Sequence, residues 1–160
     1  MGRLGRLRAK VYNNTLYVNP RDTGVGSAVG FGYGSGCPEN IVFQNNIVML
    51  TESQDSYFAV NGSGCDTANF IDPSTDYNVW YNTAGNTVKP AWDGPRSSVI
   101  NPLFVNPSFD ASVADFHLQP GSPVVDAGTT VSLVSKDSAG TTARKVHPAI
   151  SAPMNINLAN

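Results

Sequence analysis

Apolar and polar residues alternate along this chain over short stretches, and three of those stretches echo one another. Val11-Tyr-Asn-Asn-Thr-Leu-Tyr-Val18, Phe43-Gln-Asn-Asn-Ile-Val-Met-Leu50 and, more loosely, Thr75-Asp-Tyr-Asn-Val-Trp-Tyr-Asn82 superpose at a shift of 32 residues. That shift takes Asn14 to Asn46 to Asn78 and Leu16 to Val48 to Trp80. Period-two alternation belongs to a strand that turns one face to an apolar interior. The 3.6-residue period of a long amphipathic helix is missing, so the predicted elements are short strands joined by many turns.

A 32-residue unit built from short strands points to a solenoid whose layers stack roughly 4.8 Å apart, each burying the apolar face its neighbour leaves open. Leu16, Val18, Val48 and Leu50 are then expected to point inward, with the asparagines recurring at one corner. Asparagine suits a corner because it tolerates left-handed backbone and its amide can bond the amide of the next layer. The competing arrangement is an antiparallel sandwich with Asn-rich hairpin turns. It calls for two-residue Asn-Gly or Asp-Gly connections at short, regular spacing, and Asn61-Gly62 instead falls in a Gly-Ser-rich loop.

Gly24 to Gly36 alternates glycine with small and aromatic residues. A phosphate-cradling loop would open a helix and be followed by a Lys-Ser or Lys-Thr step, or by an acidic residue about 20 positions on. Neither follows, and a Gly-rich strand and bend is the simpler account. Asn61 to Pro73 and Thr83 to Ser98 are rich in Gly, Asp, Asn, Pro and Ser and are the expected protruding loops.

At 160 residues the chain has the length of one domain. Only 14 % of it is charged, in keeping with an all-β, turn-rich protein. Arg3, Arg6, Arg8 and Lys10 crowd the start, whereas four basic residues face all twelve acidic ones between Val11 and Thr142, a formal charge of −8. That acidic body argues against non-specific nucleic-acid binding. No apolar run behind the basic start makes a signal peptide, and none reaches the roughly 20 residues of a membrane span. Cys37 and Cys65 each close a Gly-Ser-Gly-Cys step. They are either a disulfide, worth roughly 3–4 kcal/mol in the chain-entropy picture, or two buried thiols. Two cysteines without a CxxC step make neither a four-ligand zinc site nor a dithiol redox centre.

Asp76-Tyr-Asn-Val-Trp-Tyr81, Asn101-Pro-Leu-Phe-Val-Asn-Pro107, Asp115-Phe-His-Leu-Gln-Pro-Gly-Ser-Pro123 and Asp126-Ala-Gly128 together resemble the last coils of right-handed parallel β-helix surface proteins of the pectate-lyase-like kind. The resemblance covers residues 11 to 142. It implies an all-β fold, a short right-handed parallel β-helix of about three to four coils with a C-terminal cap. Phe104, Phe116 and Leu118 would cover the open end, and Pro102, Pro107, Pro120 and Pro123 would block a further strand. Residues 1–10 stand outside the resemblance, as a basic leader or makeshift cap. Residues 143–160 depart from it: the family continues with R-P-Q-G and D-I-G-A-Y-E-Y. Back-translating Ala149–Ile156 as GCG ATA TCG GCG CCT ATG AAT AT and reading from the third base restores the second of these. A frameshifted tail is therefore expected. Family members lie outside the cell or on its surface. The uncovered first coil exposes strand edges, which implies homo-oligomers through exposed coil ends.

The resemblance does not select a reaction, because its members include polysaccharide lyases, other carbohydrate-active enzymes and proteins of no known activity. A lyase needs charge neutralisation of a uronate and a Lys or Arg base. The candidates are Asp66, Asp72 and Asp76 as acids and Lys89 and Arg96 as bases. Asp72 and Asp76 flank the turn Pro73-Ser74-Thr75, so one loop can hold both against a weakly bound Ca²⁺; solvated turn aspartates are the simpler account. No other cofactor is indicated. Paired carboxylates for glycoside hydrolysis are not evident. His117 alternates with Phe116 and Leu118 and is expected to face water, and His147 falls on the atypical tail. Flat rings stack on sugar faces, which makes Tyr57, Tyr81 and above all Trp92 the carbohydrate-binding candidates; Trp80, in register with Val48, is expected in the core. The leading expectation is a non-catalytic fragment or module of an extracellular polysaccharide-binding protein. A polysaccharide lyase or glycoside hydrolase fragment and a structural, self-associating protein are the alternatives.

Overall fold

The doubled polar step in each echoing segment is where the chain turns from one strand into the next. In the computed structural model, which describes residues 8–19, 29–30, 37–51, 58–59, 70–85 and 89–131, the first residue of each step is left-handed. Asn13, Asn45 and Tyr77 take φ of 56°, 57° and 59°. Asparagine accepts that region readily; tyrosine does so at a cost.

Asn13 and Asn14 separate β1 (Lys10–Tyr12) from β2 (Thr15–Val18), and Asn45 and Asn46 separate β4 (Val42–Gln44) from β5 (Ile47–Leu50). The remaining described strands are β3 (Val29–Gly30), β6 (Phe58–Ala59), β7 (Val79–Asn82), β8 (Ser98–Val99), β9 (Phe104–Asn106) and β10 (Asp115–Leu118). The largest sheet has four strands in the order β2-β5-β7-β8, all parallel. Its register puts Leu16 beside Val48 and Val48 beside Trp80, and sets Tyr17, Met49 and Tyr81 in one row. β1 pairs with β4 and β3 with β6, both parallel, whereas β9 and β10 pair antiparallel.

Both faces of the four-stranded sheet are covered. On one face Val48, Leu50 and Trp80 pack with Phe43 and Val29, and Leu16, Val18, Val11 and Trp92 fill in around them. The Phe43 and Trp80 rings lie 5.9 Å apart at 28°. Trp80 is fully buried at the centre of this layer, so Trp80→Ala is expected to cost about 3–5 kcal/mol. On the other face Ile47, Met49 and Val79 pack with Phe104 and Val124, bordered by Tyr17, Tyr81, Phe116 and Leu118.

The all-β expectation therefore holds in the described residues, but the right-handed parallel β-helix of three to four coils does not. The described strands form one four-stranded and three two-stranded sheets and close into no solenoid. Nor do Phe104, Phe116 and Leu118 cap the end of a stack. They lie across the sheet face, against Ile47, Met49 and Val79. The physical reason is in β5, whose Ile-Val-Met-Leu run is apolar at every position and buried throughout. A strand of that composition needs cover on both sides, as parallel sheets usually have, whereas a solenoid would leave its outward face in water. Residues 1–7 and the atypical 143–160 tail lie outside the described residues. Among the described residues no helix is long and apolar enough to cross a membrane.

Candidate functional site

The second asparagine of each step builds a ladder across the sheet. Asn46 Oδ1 accepts both the backbone N–H of Asn14 at 3.0 Å and its side-chain amide at 3.0 Å. Asn78 Oδ1 accepts the same pair from Asn46, at 2.9 and 3.1 Å. The ladder ends in a different chemistry. The Asn78 amide donates to Asp93 Oδ1, and its N–H donates to Ser97 Oγ. Asp93 Oδ2 takes the indole N–H of Trp80, which ties this terminus to the core. Asn46, Asn78 and Asp93 are all buried, and a buried polar group left without a partner costs about 1–3 kcal/mol.

Beside this terminus lie most of the acids and bases named as candidates for catalysis. Asp76 is buried and accepts the Arg96 Nε–H at 2.7 Å, the Arg96 N–H at 2.8 Å and the Tyr77 N–H at 2.9 Å. Burial pushes its carboxyl up, but the hydrogen bonds and the Arg96 charge outweigh burial and hold it below the usual range. The Arg96 guanidinium sits 4.6 Å above the Tyr77 ring and donates to the Tyr77 hydroxyl. Lys89 donates to the carbonyls of Asp93 and Gly94. Asp72 Oδ1 accepts the hydroxyl and the N–H of Ser74, which hold its carboxyl low. Asp72 and Asp76 thus take separate partners. Among the described residues no group of three or more His, Cys, Asp or Glu is placed to hold a metal ion. His117 is exposed and its Nδ1 lies 2.6 Å from Asp115 Oδ1. Asp66 and His147 lie outside the described residues.

The predicted sugar platforms are turned largely inward. Trp92 packs edge-on against Trp80 at 5.8 Å and Phe43 at 6.2 Å, and Tyr81 is half-buried at the margin of the second core layer. Tyr57 lies outside the described residues. Among the described residues, the exposed ring is one that sequence reasoning passed over. Phe109 stacks on Tyr17 with centroids 4.5 Å apart at 28° and remains 58 % exposed. Phe116 supports Tyr17 edge-on at 5.5 Å. The loop carrying Phe109 is rigidified by Asp110 Oδ1, which accepts the N–H and hydroxyl of Ser112, and by the Asn106 amide, which donates to the Val113 carbonyl. The available signal was Phe109 itself, a large ring between the turn-forming Pro107-Ser108 and Asp110.

Cys37 is disulfide-bonded. The chain's other cysteine, Cys65, lies outside the described residues. No protein-family model, no curated protein and no solved structure matches the chain.

Proposed function

We propose that this chain is a non-catalytic module that binds polysaccharide outside the cell, using the Phe109–Tyr17 pair as its platform. The observation that carries this reading is a large flat ring held in place on a second ring while most of its surface stays in water. Such a ring stacks on the apolar face of a sugar at little cost in conformational entropy. Asn106, Ser108 and Asp110 are its polar neighbours in the sequence. A non-catalytic role is supported by the partners already held by Asp76, Arg96 and Lys89, since a general acid or base needs a proton site free to meet substrate. The disulfide at Cys37 supports an oxidising compartment.

Affinity electrophoresis through gels containing neutral or acidic polysaccharides tests the proposal. Retardation by at least one polymer, lost in Phe109→Ala with the melting temperature nearly unchanged, is the expected result. Equal mobility of the two proteins in every gel would sink it.

A second reading, self-association, is favoured by the exposed Val99, Val105, Val113 and Val125. Sedimentation velocity across a concentration series reads it directly: a constant monomer coefficient rejects it.

A further inference from the structure

The asparagine ladder is open at one end, and the chemistry missing there can be read from its closed rungs. Among the described residues β2 stands at the edge of the four-stranded sheet, paired only with β5. All four of its residues are half-buried, whereas their register partners in β5 are fully buried. Asn46 Oδ1 and Asn78 Oδ1 each accept a backbone N–H and a side-chain amide from the preceding rung. No described residue donates to Asn14 Oδ1, although it occupies the same position. A second rung, at the left-handed corner, runs with the opposite polarity. There the Asn45 amide donates outward to Asn13 Oδ1 at 3.0 Å, and among the described residues nothing accepts from the amide of the exposed Asn13.

We infer that the β2 edge receives one further parallel strand, an extended segment from outside these 160 residues carrying Asn-Asn followed by alternating apolar residues. Its first asparagine accepts from the Asn13 amide through Oδ1. Its second gives its N–H and amide to Asn14 Oδ1, and its apolar side chains complete the burial of Leu16 and Val18. This is strand addition at a sheet edge, with the two asparagines setting register and direction. The chain itself has no spare copy of the motif. Its two Asn-Asn steps are Asn13-Asn14 and Asn45-Asn46, and both are already in the ladder. A second copy stacked through β8 does not fit either. The residue in register there is Ser97, whose N–H is spent on the Gly94 carbonyl and whose Oγ already accepts from Asn78.

The test uses the unaltered chain and a fluorescein-labelled synthetic peptide, Gln-Asn-Asn-Ile-Val-Met-Leu with terminal lysines for solubility, read by anisotropy and by amide chemical shifts. Saturable binding is expected, with shifts concentrated at Asn13 to Val18. Alanine at the second asparagine of the peptide should weaken binding about tenfold or more, because Asn14 Oδ1 is then covered with half its donors missing. Alanine at the first should weaken it less, because the Asn13 amide stays near water. Equal affinity of the three peptides, shifts centred on β8, or no saturable binding would overturn the inference. Displacement of the peptide by excess unlabelled chain would also overturn it, by showing that a second copy is the occupant.

Discussion

Asp76, 2 % exposed, accepts the Nε–H of Arg96 at 2.7 Å while the Arg96 side chain lies mostly in water. The two ends of this pair therefore contribute unequally. Asp76→Ala orphans the Tyr77 and Arg96 N–H groups, and should cost about 2–3 kcal/mol. Arg96→Ala leaves Asp76 its backbone donors and should cost clearly less, because the guanidinium is screened by water. Urea denaturation of the two variants checks the ranking, and equal costs would contradict it. The pH dependence has a definite sign. Because the folded Asp76 carboxyl is lowered, its contribution is complete above the unfolded value of about 3.9 and fades as pH falls through the lowered folded value. The acid limb of a stability–pH curve should be shallower in Asp76→Asn.

Gly94 is a close-approach position. A Cβ placed on it would lie 2.3 Å from Asp76 Cγ, so Gly94→Ala must displace the carboxylate that organises the Arg96 loop. A loss of about 1–3 kcal/mol is expected. In Asp76→Gly, which also removes the Cβ that would lie 2.7 Å away, the same glycine change should cost much less, and a double-mutant cycle by thermal melting measures the difference.

The ladder asparagines should rank by place. Asn46 accepts from Asn14 and donates to Asn78, so Asn46→Ala severs rungs on both sides and should cost about 3 kcal/mol or more. Asn14→Ala loses its donations to Asn46 and to the Tyr12 carbonyl at the half-buried edge, and should cost about 1 kcal/mol. Equal losses in chemical denaturation would mean that the ladder does not act as a connected unit.

Reduction should destabilise the chain. With Cys37 disulfide-bonded, iodoacetamide should add no mass to the native protein without reductant. Dithiothreitol should lower stability by about 3 kcal/mol in the loop-entropy picture. Alkylation of the untreated native chain would contradict the bonded state.

Much of the sheet was readable from spacing. The 32-residue shift placed Asn14, Asn46 and Asn78, and Leu16, Val48 and Trp80, in the rows where the structure has them. What spacing did not reveal was the second covered face. Alternation drew attention to Val48 and Leu50 as inward residues, while Ile47 and Met49 between them were equally apolar and needed burial too. Phe104 and Phe116 meet that need from a distant part of the chain, an arrangement set by tertiary packing. Trp92 misled because its neighbours are polar: a loop rich in Asp, Gly and Pro can still send one ring inward, and this one reaches Phe43 and Trp80. The Asp76–Arg96 pair was hidden for a related reason. Both residues were noted, but their meeting depends on how the chain between them closes.

That closure also sets an order of assembly. Asn78 finds Ser97 only 19 residues away, whereas each earlier rung joins residues 32 apart. Shorter loops close at lower entropic cost, so the sheet should nucleate at β7 and β8 and grow back toward β2, against the direction of synthesis. Substitutions in β7 should then slow folding, and those in β2 should mainly speed unfolding. A ribosome-bound chain lacking residues beyond Asn82 would hold the three ladder asparagines with nothing yet to terminate them.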